Sequence, residues 1–291
     1  NSSGQLGDGT TTSRSLPVTL STPADVALVA AGHYHSLAVT SAAELFAWGR
    51  NTSGQLGDGT TSRRLRPVRI TGLPALRLAA GGRDHSLALA TDGTVWAWGS
   101  NAYGQLGDGT LTRRLRPQQV AGLTGVVAIA AGREHSLAVT STGSVYAWGS
   151  NVYGQVGDGT TVNRTRPVLL TTLTGVLEVS AGAHHSLALR DDGTVATWGR
   201  NYRGQLGDGT TVTRTRPATV GGVSGVVAIG TGRDHCLAVL AGGGLRAWGH
   251  NAFGQLGDGT TTTRRSPVTV LGVSTAVLAE GGGDYSLSLV R

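Results

Sequence analysis

Residues 101–150 read NAYGQLGDGTLTRRLRPQQVAGLTGVVAIAAGREHSLAVTSTGSVYAWGS, and this block returns with few changes along the whole chain. GQLGDGT begins at Gly4, Gly54, Gly104, Gly204 and Gly254, and GQVGDGT at Gly154, a step of 50 residues without an insertion. The prolines at 17, 67, 117, 167, 217 and 267 keep the same step. So do His35, His85, His135, His185 and His235, and Trp48, Trp98, Trp148, Trp198 and Trp248. A fixed period of this size marks stacked or radial repeat architectures.

Inside the block, four short segments follow the glycine-rich loop: PQQV from Pro117, VVAIA from Val126, HSLAVT from His135 and SVYAWG from Ser144. Each is β-branched or aromatic and bounded by Gly or Thr/Gly turns, the pattern of a short strand. No segment sustains the 3.6-residue period of a helix. Four strands per repeat at this period give an all-β fold, a β-propeller of six four-stranded blades, whereas a parallel β-helix repeats at a shorter step. In HSLAVT, Leu137 and Val139 point to one side and Ser136 and Ala138 to the other. Large residues and the recurring Trp are therefore expected in the wedges between blades.

The repeats divide the chain into 1–50, 51–100, 101–150, 151–200, 201–250 and 251–291, one domain over residues 1–291. Six full repeats need 300 residues, nine more than the 291 present; the shortfall matches the segment that reads DGTVWAWGS from Asp92. The last blade is expected to lack one strand, which leaves six blades or part of a seven-bladed ring. The first residue is Asn1, with no signal-peptide pattern, as in a mature or excised piece.

Composition fits a turn-rich globular chain: 39% hydrophobic, 14% charged, 47 glycines. The 24 basic residues are all arginine, a bias of the kind GC-rich bacterial genomes impose, and the formal charge of +7 favours acidic partners in general. A lone Cys236 excludes an internal disulfide and a paired-thiol metal site. No apolar run approaches the roughly 20 residues of a membrane helix.

The series WGxNxxGQLGDGT, RxRPVxV, AGxxHSLAVT and DGxVWAWG, six times over, resembles the repeat of the regulator of chromosome condensation family. The resemblance spans essentially all 291 residues and implies a propeller, commonly of seven blades. It implies function less sharply. Proteins of this pattern include nucleotide exchange factors for a small nuclear GTPase, a plant ultraviolet photoreceptor, enzyme-linked regulatory modules and secreted bacterial inhibitors of β-lactamase. An inserted wedge is missing from the unbroken 50-residue step, and only Trp96 lies outside the WG column, so the exchange-factor and photoreceptor readings are disfavoured.

Symmetry assigns the recurring polar columns to architecture. The histidines precede Ser or Cys at a strand start, and Tyr285 stands at this place in the sixth repeat, where a metal ligand would not be replaced. GDG is turn chemistry, and one carboxylate per loop does not build a calcium site. RxR at Arg64 and Arg66, Arg114 and Arg116, Arg164 and Arg166, and Arg214 and Arg216 would form a basic belt or pair with the GDG aspartates. No phosphate-loop sequence and no GxSxG elbow occurs, so no cofactor and no catalytic residue is expected.

Function in a repeat scaffold belongs where the repeats differ. Two pairs differ. Before HS they include Tyr34, Arg83, Asp84, Arg133, Glu134, His184, Arg233 and Asp234; before GQ they include Tyr103, Tyr153, Tyr202, Arg203 and Phe253. Tyr and Arg are enriched at binding hot spots. If both loops open on one face, Tyr103, Tyr153, Tyr202 and Phe253 form an aromatic arc around a charged inner ring. The expected function is a noncatalytic protein-interaction scaffold, secreted or at the surface of a bacterium. Its partner would be a protein, acidic in character, with no membrane and nucleic acid disfavoured. The chain would be monomeric unless an open seam pairs between copies. A structural module without a ligand comes second, an exchange-factor-like regulator third.

Overall fold

The computed structural model describes residues 1–291 and contains strands only. The first sheet is β1 (Val26–Ala31), β2 (His35–Thr40), β3 (Leu45–Gly49) and β4 (Arg64–Ile70), an antiparallel meander in that order. The second holds β5 (Leu76–Gly81), β6 (His85–Ala90), β7 (Val95–Gly99) and β8 (Arg114–Gln119). In the third are β9 (Val126–Ala131), β10 (His135–Thr140), β11 (Val145–Gly149) and β12 (Arg164–Leu169). Next come β13 (Val176–Ala181), β14 (His185–Arg190), β15 (Val195–Gly199) and β16 (Arg214–Thr219). The fifth is β17 (Val226–Thr231), β18 (His235–Leu240), β19 (Leu245–Gly249) and β20 (Arg264–Thr269). The sixth is only β21 (Ala276–Gly281) with β22 (Ser286–Val290).

The four strands per repeat are those the sequence predicts, but their grouping differs. Each RxRP strand is the outermost strand of the preceding blade, so blade and repeat are out of phase. The cause is local. At Gly49 φ is +102°, and an added Cβ would lie 2.6 Å from the Tyr34 carbonyl, so only glycine turns the chain there. The loop then returns RLRPVRI alongside LFAWG, with Ala47 opposite Val68 and Gly49 opposite Arg64. The step from β4 to β5 spans three strand spacings, about 14 Å, which the few residues after Ile70 can reach when extended.

This phase also changes the count at the ends. The sixth sheet lacks its third and fourth strands, not the fourth alone, and the RSLPVTL segment of residues 14–20, counterpart of a fourth strand, lies in no sheet. The innermost strands β1, β5, β9, β13, β17 and β21 neighbour one another in series. The two end sheets do not join by hydrogen bonds, and Val29 on β1 and Leu287 on β22 are 72% and 65% exposed.

The core lies between blades. Register places Ser136 opposite Trp148 and Leu137 opposite Ala147, so Trp148 and Leu137 occupy opposite faces of one sheet. Trp148 packs with Leu87, Leu89 and Val95 of the blade before, and Leu137 with Trp198 and Val179 of the blade after. Trp98, Trp148, Trp198 and Trp248 are fully buried. Each indole also donates to a loop carbonyl, Trp148 to Gln105 at 2.9 Å and Trp198 to Gln155 at 2.8 Å.

Candidate functional site

The histidine column is a set of struts between blades. His35 Nε2 meets Ser86 Oγ at 2.9 Å, His85 meets Ser136 at 3.1 Å, His135 meets Ser186 at 3.0 Å and His235 meets Ser286 at 2.9 Å. The serine hydroxyl in turn donates to the Gln carbonyl that the Trp uses, as Ser136 does to Gln105 at 2.8 Å. Cys236 replaces this serine, with Sγ 3.2 Å from His185 Nε2, and burial pushes its thiol well above the ordinary range. Burial also holds the imidazoles neutral, at about 4 in His35 and His185 and about 3 in His85. These are packing groups.

The GDG aspartates close the loops. Asn101 is buried, its amide donating to Asp108 at 3.1 Å and to the Thr110 and Thr112 carbonyls, while its oxygen accepts from the Leu106 amide at 3.0 Å. Asp108 also receives Thr110 at 2.8 Å and Arg114 at 2.7 Å. Burial opposes ionisation of this carboxyl, yet the Thr110 and Arg114 contacts hold it below its usual range. The first arginine of every RxR is spent in this way, with Arg64 on Asp58 at 2.7 Å, Arg164 on Asp158 at 2.6 Å and Arg214 on Asp208 at 2.6 Å. The second arginine pairs with no carboxylate; Arg116 lies against Gly59 of the preceding blade's loop, where an added Cβ would strike its guanidinium at 2.6 Å.

Both variable loops open on one face. In a meander, the turn joining a blade's first and second strands and the loop joining its third and fourth emerge at the same end, and these carry the two variable pairs. The inner part is a ladder of charges. Arg83 lies 3.5 Å from Glu134 of the next blade and 3.5 Å from its own neighbour Asp84; Arg233 reaches Asp284 at 2.7 Å and Asp234 at 3.6 Å. Arg133 has only Glu134, at 3.7 Å. Glutamines tie the ladder to the loops, Gln55 donating to Asp84 at 2.9 Å and Gln205 to Asp234 at 3.0 Å.

The aromatic arc is gathered in part. Tyr153 and Tyr202 meet edge to face at 5.9 Å, and His184 joins Tyr153 at 5.1 Å. Phe253, 70% exposed, pairs instead with His250 at 6.1 Å, and Arg203 lies close enough to help lower the His250 pKa. Tyr34 stacks on His33 at 4.3 Å under Arg50, whose guanidinium is 5.4 Å from the ring. Tyr103 touches no other aromatic ring. Sequence reasoning missed one variable column, the residue after WG: Arg50, Ser100, Ser150, Arg200 and His250. It supplies Arg200, which lies over Tyr153 at 5.4 Å and Tyr202 at 5.1 Å. Its variation between repeats is as plain as that of the two pairs and would have found it.

A family model described as an RCC1-like domain matches residues 1–288. Among solved structures, human WBSCR16 is similar, with a TM-score of 0.82 and 28% identity over 91% of this chain and 72% of that one. Prp20p from Saccharomyces cerevisiae gives 0.79 and 28%, over 90% and 68%; its structure is described together with its binding properties to Gsp1p and histones. Yeast RCC1 (Prp20) with Kap60 bound to it gives 0.80 and 26%, over 90% and 65%. No curated protein sequence matches.

Proposed function

Because the chain belongs to the family of RCC1-like β-propellers, we propose that it is a noncatalytic protein-binding scaffold that presents one loop face to a protein partner. One observation carries this reading. Acid–base residue types in the repeating columns are consumed in struts and loop closures, and the two loop pairs that differ between repeats emerge at a single end of the blades. That end combines half-exposed tyrosines with arginines and acids, the composition of a recognition surface. The binding of Gsp1p and histones by Prp20p supports a protein partner for this chain as well.

The test is capture of a partner from lysate and from culture medium by the intact chain and by a variant with alanine at Tyr103, Tyr153 and Tyr202. The variant is expected to lose the partner while keeping its thermal midpoint, because Tyr202 is 56% exposed and Tyr103 38%. Equal capture by both would remove the loop face as the binding surface.

A further inference from the structure

Around the inner ring, the arginine before the histidine column finds an acid on the following blade: Glu134 for Arg83 and Asp284 for Arg233. Between the third and fourth blades this rule breaks. Arg133 has His184 where the acid would stand, and the Arg133 charge acts directly on that imidazole. Burial, reinforced by Arg133 and Arg200, pushes the His184 pKa down to about 4, so the ring adds no charge of its own at neutral pH.

The two arginines beside His184 have fewer carboxylate partners than their counterparts in other blades. His184 is 9% exposed and its buried Nδ1 makes no hydrogen bond. Gln55 and Gln205 donate to Asp84 and Asp234, whereas Gln155 turns to Ser150 at 3.1 Å, as Gln105 turns to Ser100 at 3.4 Å. Arg200, whose counterpart Arg50 lies 3.9 Å from Asp84, has no carboxylate at ion-pair distance and rests on the two tyrosine rings. The Nε atoms of Arg133 and Arg200 are buried without a hydrogen-bond acceptor, as is that of Arg83, whose guanidinium nevertheless has two carboxylates at 3.5 Å. Arg133 has one carboxylate, at 3.7 Å, and Arg200 none, so the shortage of acceptors is greatest beside His184. Glu134 cannot relieve it, being shared already between Arg83 and Arg133.

We propose that the surface at His184, flanked by Arg133 and Arg200 and beside Tyr153 and Tyr202, is a binding site for one carboxylate, contributed by an acidic residue of the protein partner. The carboxylate takes the place that Glu134 and Asp284 fill elsewhere in the ring. Charge-assisted bonds from two guanidiniums provide the attraction, and the tyrosine rings shield it from water. This site rests on the loop face being the partner-binding face, and it names the chemistry recognised there.

The site can be tested without the partner. The probes are the peptides acetyl-Gly-Glu-Gly-amide and acetyl-Gly-Gln-Gly-amide, with acetyl-Gly-Gly bearing a free terminus to tell a side-chain from a terminal carboxylate. The readout is the arginine Nε–Hε NMR signals of the full chain. The Arg133 and Arg200 signals should move with either carboxylate and respond at least about tenfold more weakly to the glutamine peptide. His184→Asp, which gives this blade the acid that the second, third, fifth and sixth have, should weaken the carboxylate probes about tenfold or more without lowering the thermal midpoint. Arg200→Gln should weaken them too, and it has no ion pair to lose, so it remains informative if His184→Asp fails to fold. Equal response to the glutamine peptide, or unchanged binding in folded His184→Asp or Arg200→Gln, would overturn the site. Partner capture lost on triple tyrosine substitution but kept by His184→Asp would overturn the carboxylate and leave the face. Probe binding at Arg133 and Arg200, with capture unaffected by the tyrosine changes, would overturn the face and leave the site.

Discussion

Lowering the pH should unfold this propeller well before its loop aspartates begin to titrate, because the struts between blades are buried imidazoles. In the folded chain His35, His185 and His235 titrate at about 4 and His85 at about 3, with His135 also well below its ordinary value; burial is the leading cause in each. In the unfolded chain each titrates near 6.5. Between those values the unfolded state binds protons that the folded state refuses, so stability is present above about pH 6.5 and is lost as the pH falls toward 4. At pH 5 each strut costs about 2 kcal/mol relative to pH 8, and five cost about 10, comparable with the whole stability of a domain. His184, at about 4, adds a sixth. Two carboxyls work the other way: burial raises Glu178 and Glu280 to about 7, so they gain protons on folding and stabilise as the pH falls through 7. Six imidazoles less two carboxyls leave nearly four protons taken up on unfolding, a slope of about 5 kcal/mol per pH unit near pH 5.5. The assay is denaturant unfolding followed by tryptophan fluorescence at closely spaced pH between 8 and 5, with the proton uptake taken from the slope. His135→Gln should reduce that uptake by about one proton while weakening the contact to Ser186. Unfolding midpoints that stay level from pH 7.5 to 5.5 would refute the assignment of these imidazoles as neutral struts.

Three substitutions test the architecture. Trp148→Ala empties a fully buried site between the second and third blades and takes one of two donors from the Gln105 carbonyl, and should cost about 3–5 kcal/mol in urea unfolding. A shift near zero would contradict its place in the wedge. Gly107→Ala should destabilise by more than about 1 kcal/mol, since φ is +70° and the new Cβ would lie 2.8 Å from the Trp148 indole nitrogen; an unchanged midpoint in the same assay would show that the loop can yield. Asn101→Ala removes the acceptor for the Leu106 amide and four donor contacts, and should cost about 2–4 kcal/mol, with faster hydrogen exchange at Leu106 as the local sign.

How far the sequence reaches is set by what repeats and what pairs. A column such as His135 or Trp148 announces its role because five copies of one residue at one step can share only an architectural task, and the distances to Ser186 and Gln105 agree. The phase of the blades was hidden for a different reason. PQQV can be read as the first strand of its own repeat or the last of the one before, and the choice depends on Gly99 and the loop returning the chain against Val95–Gly99, a pairing that no composition reveals. That error carried through to the end of the chain, where one missing strand became two. Within the loops, Asn101 and Gln105 stood in the repeat pattern, but their contacts are specific to a three-dimensional loop closure. Glu178 and Glu280 were passed over because they sit on inner strands at positions where other repeats carry Ala, Leu, Ser or Gly, and only burial makes them unusual.

The same logic locates the binding chemistry more narrowly than variability alone. Thirteen variable side chains were candidates, and variability ranked them equally. The structure ranks them by what each lacks. Arg83, Arg233, Asp84 and Asp234 are tied to one another or to glutamines, so a partner would have to break an existing contact to use them. Arg133 has a single carboxylate, at 3.7 Å, Arg200 has none at ion-pair distance, and the buried Nδ1 of His184 between them has no hydrogen-bond partner. An interaction is strongest where binding supplies a partner that folding did not, because the desolvation cost of those atoms has already been met. The break in the repeat at His184 is therefore the place where an external acid gains most, and it is also the place where an internal one, introduced as His184→Asp, should close the site.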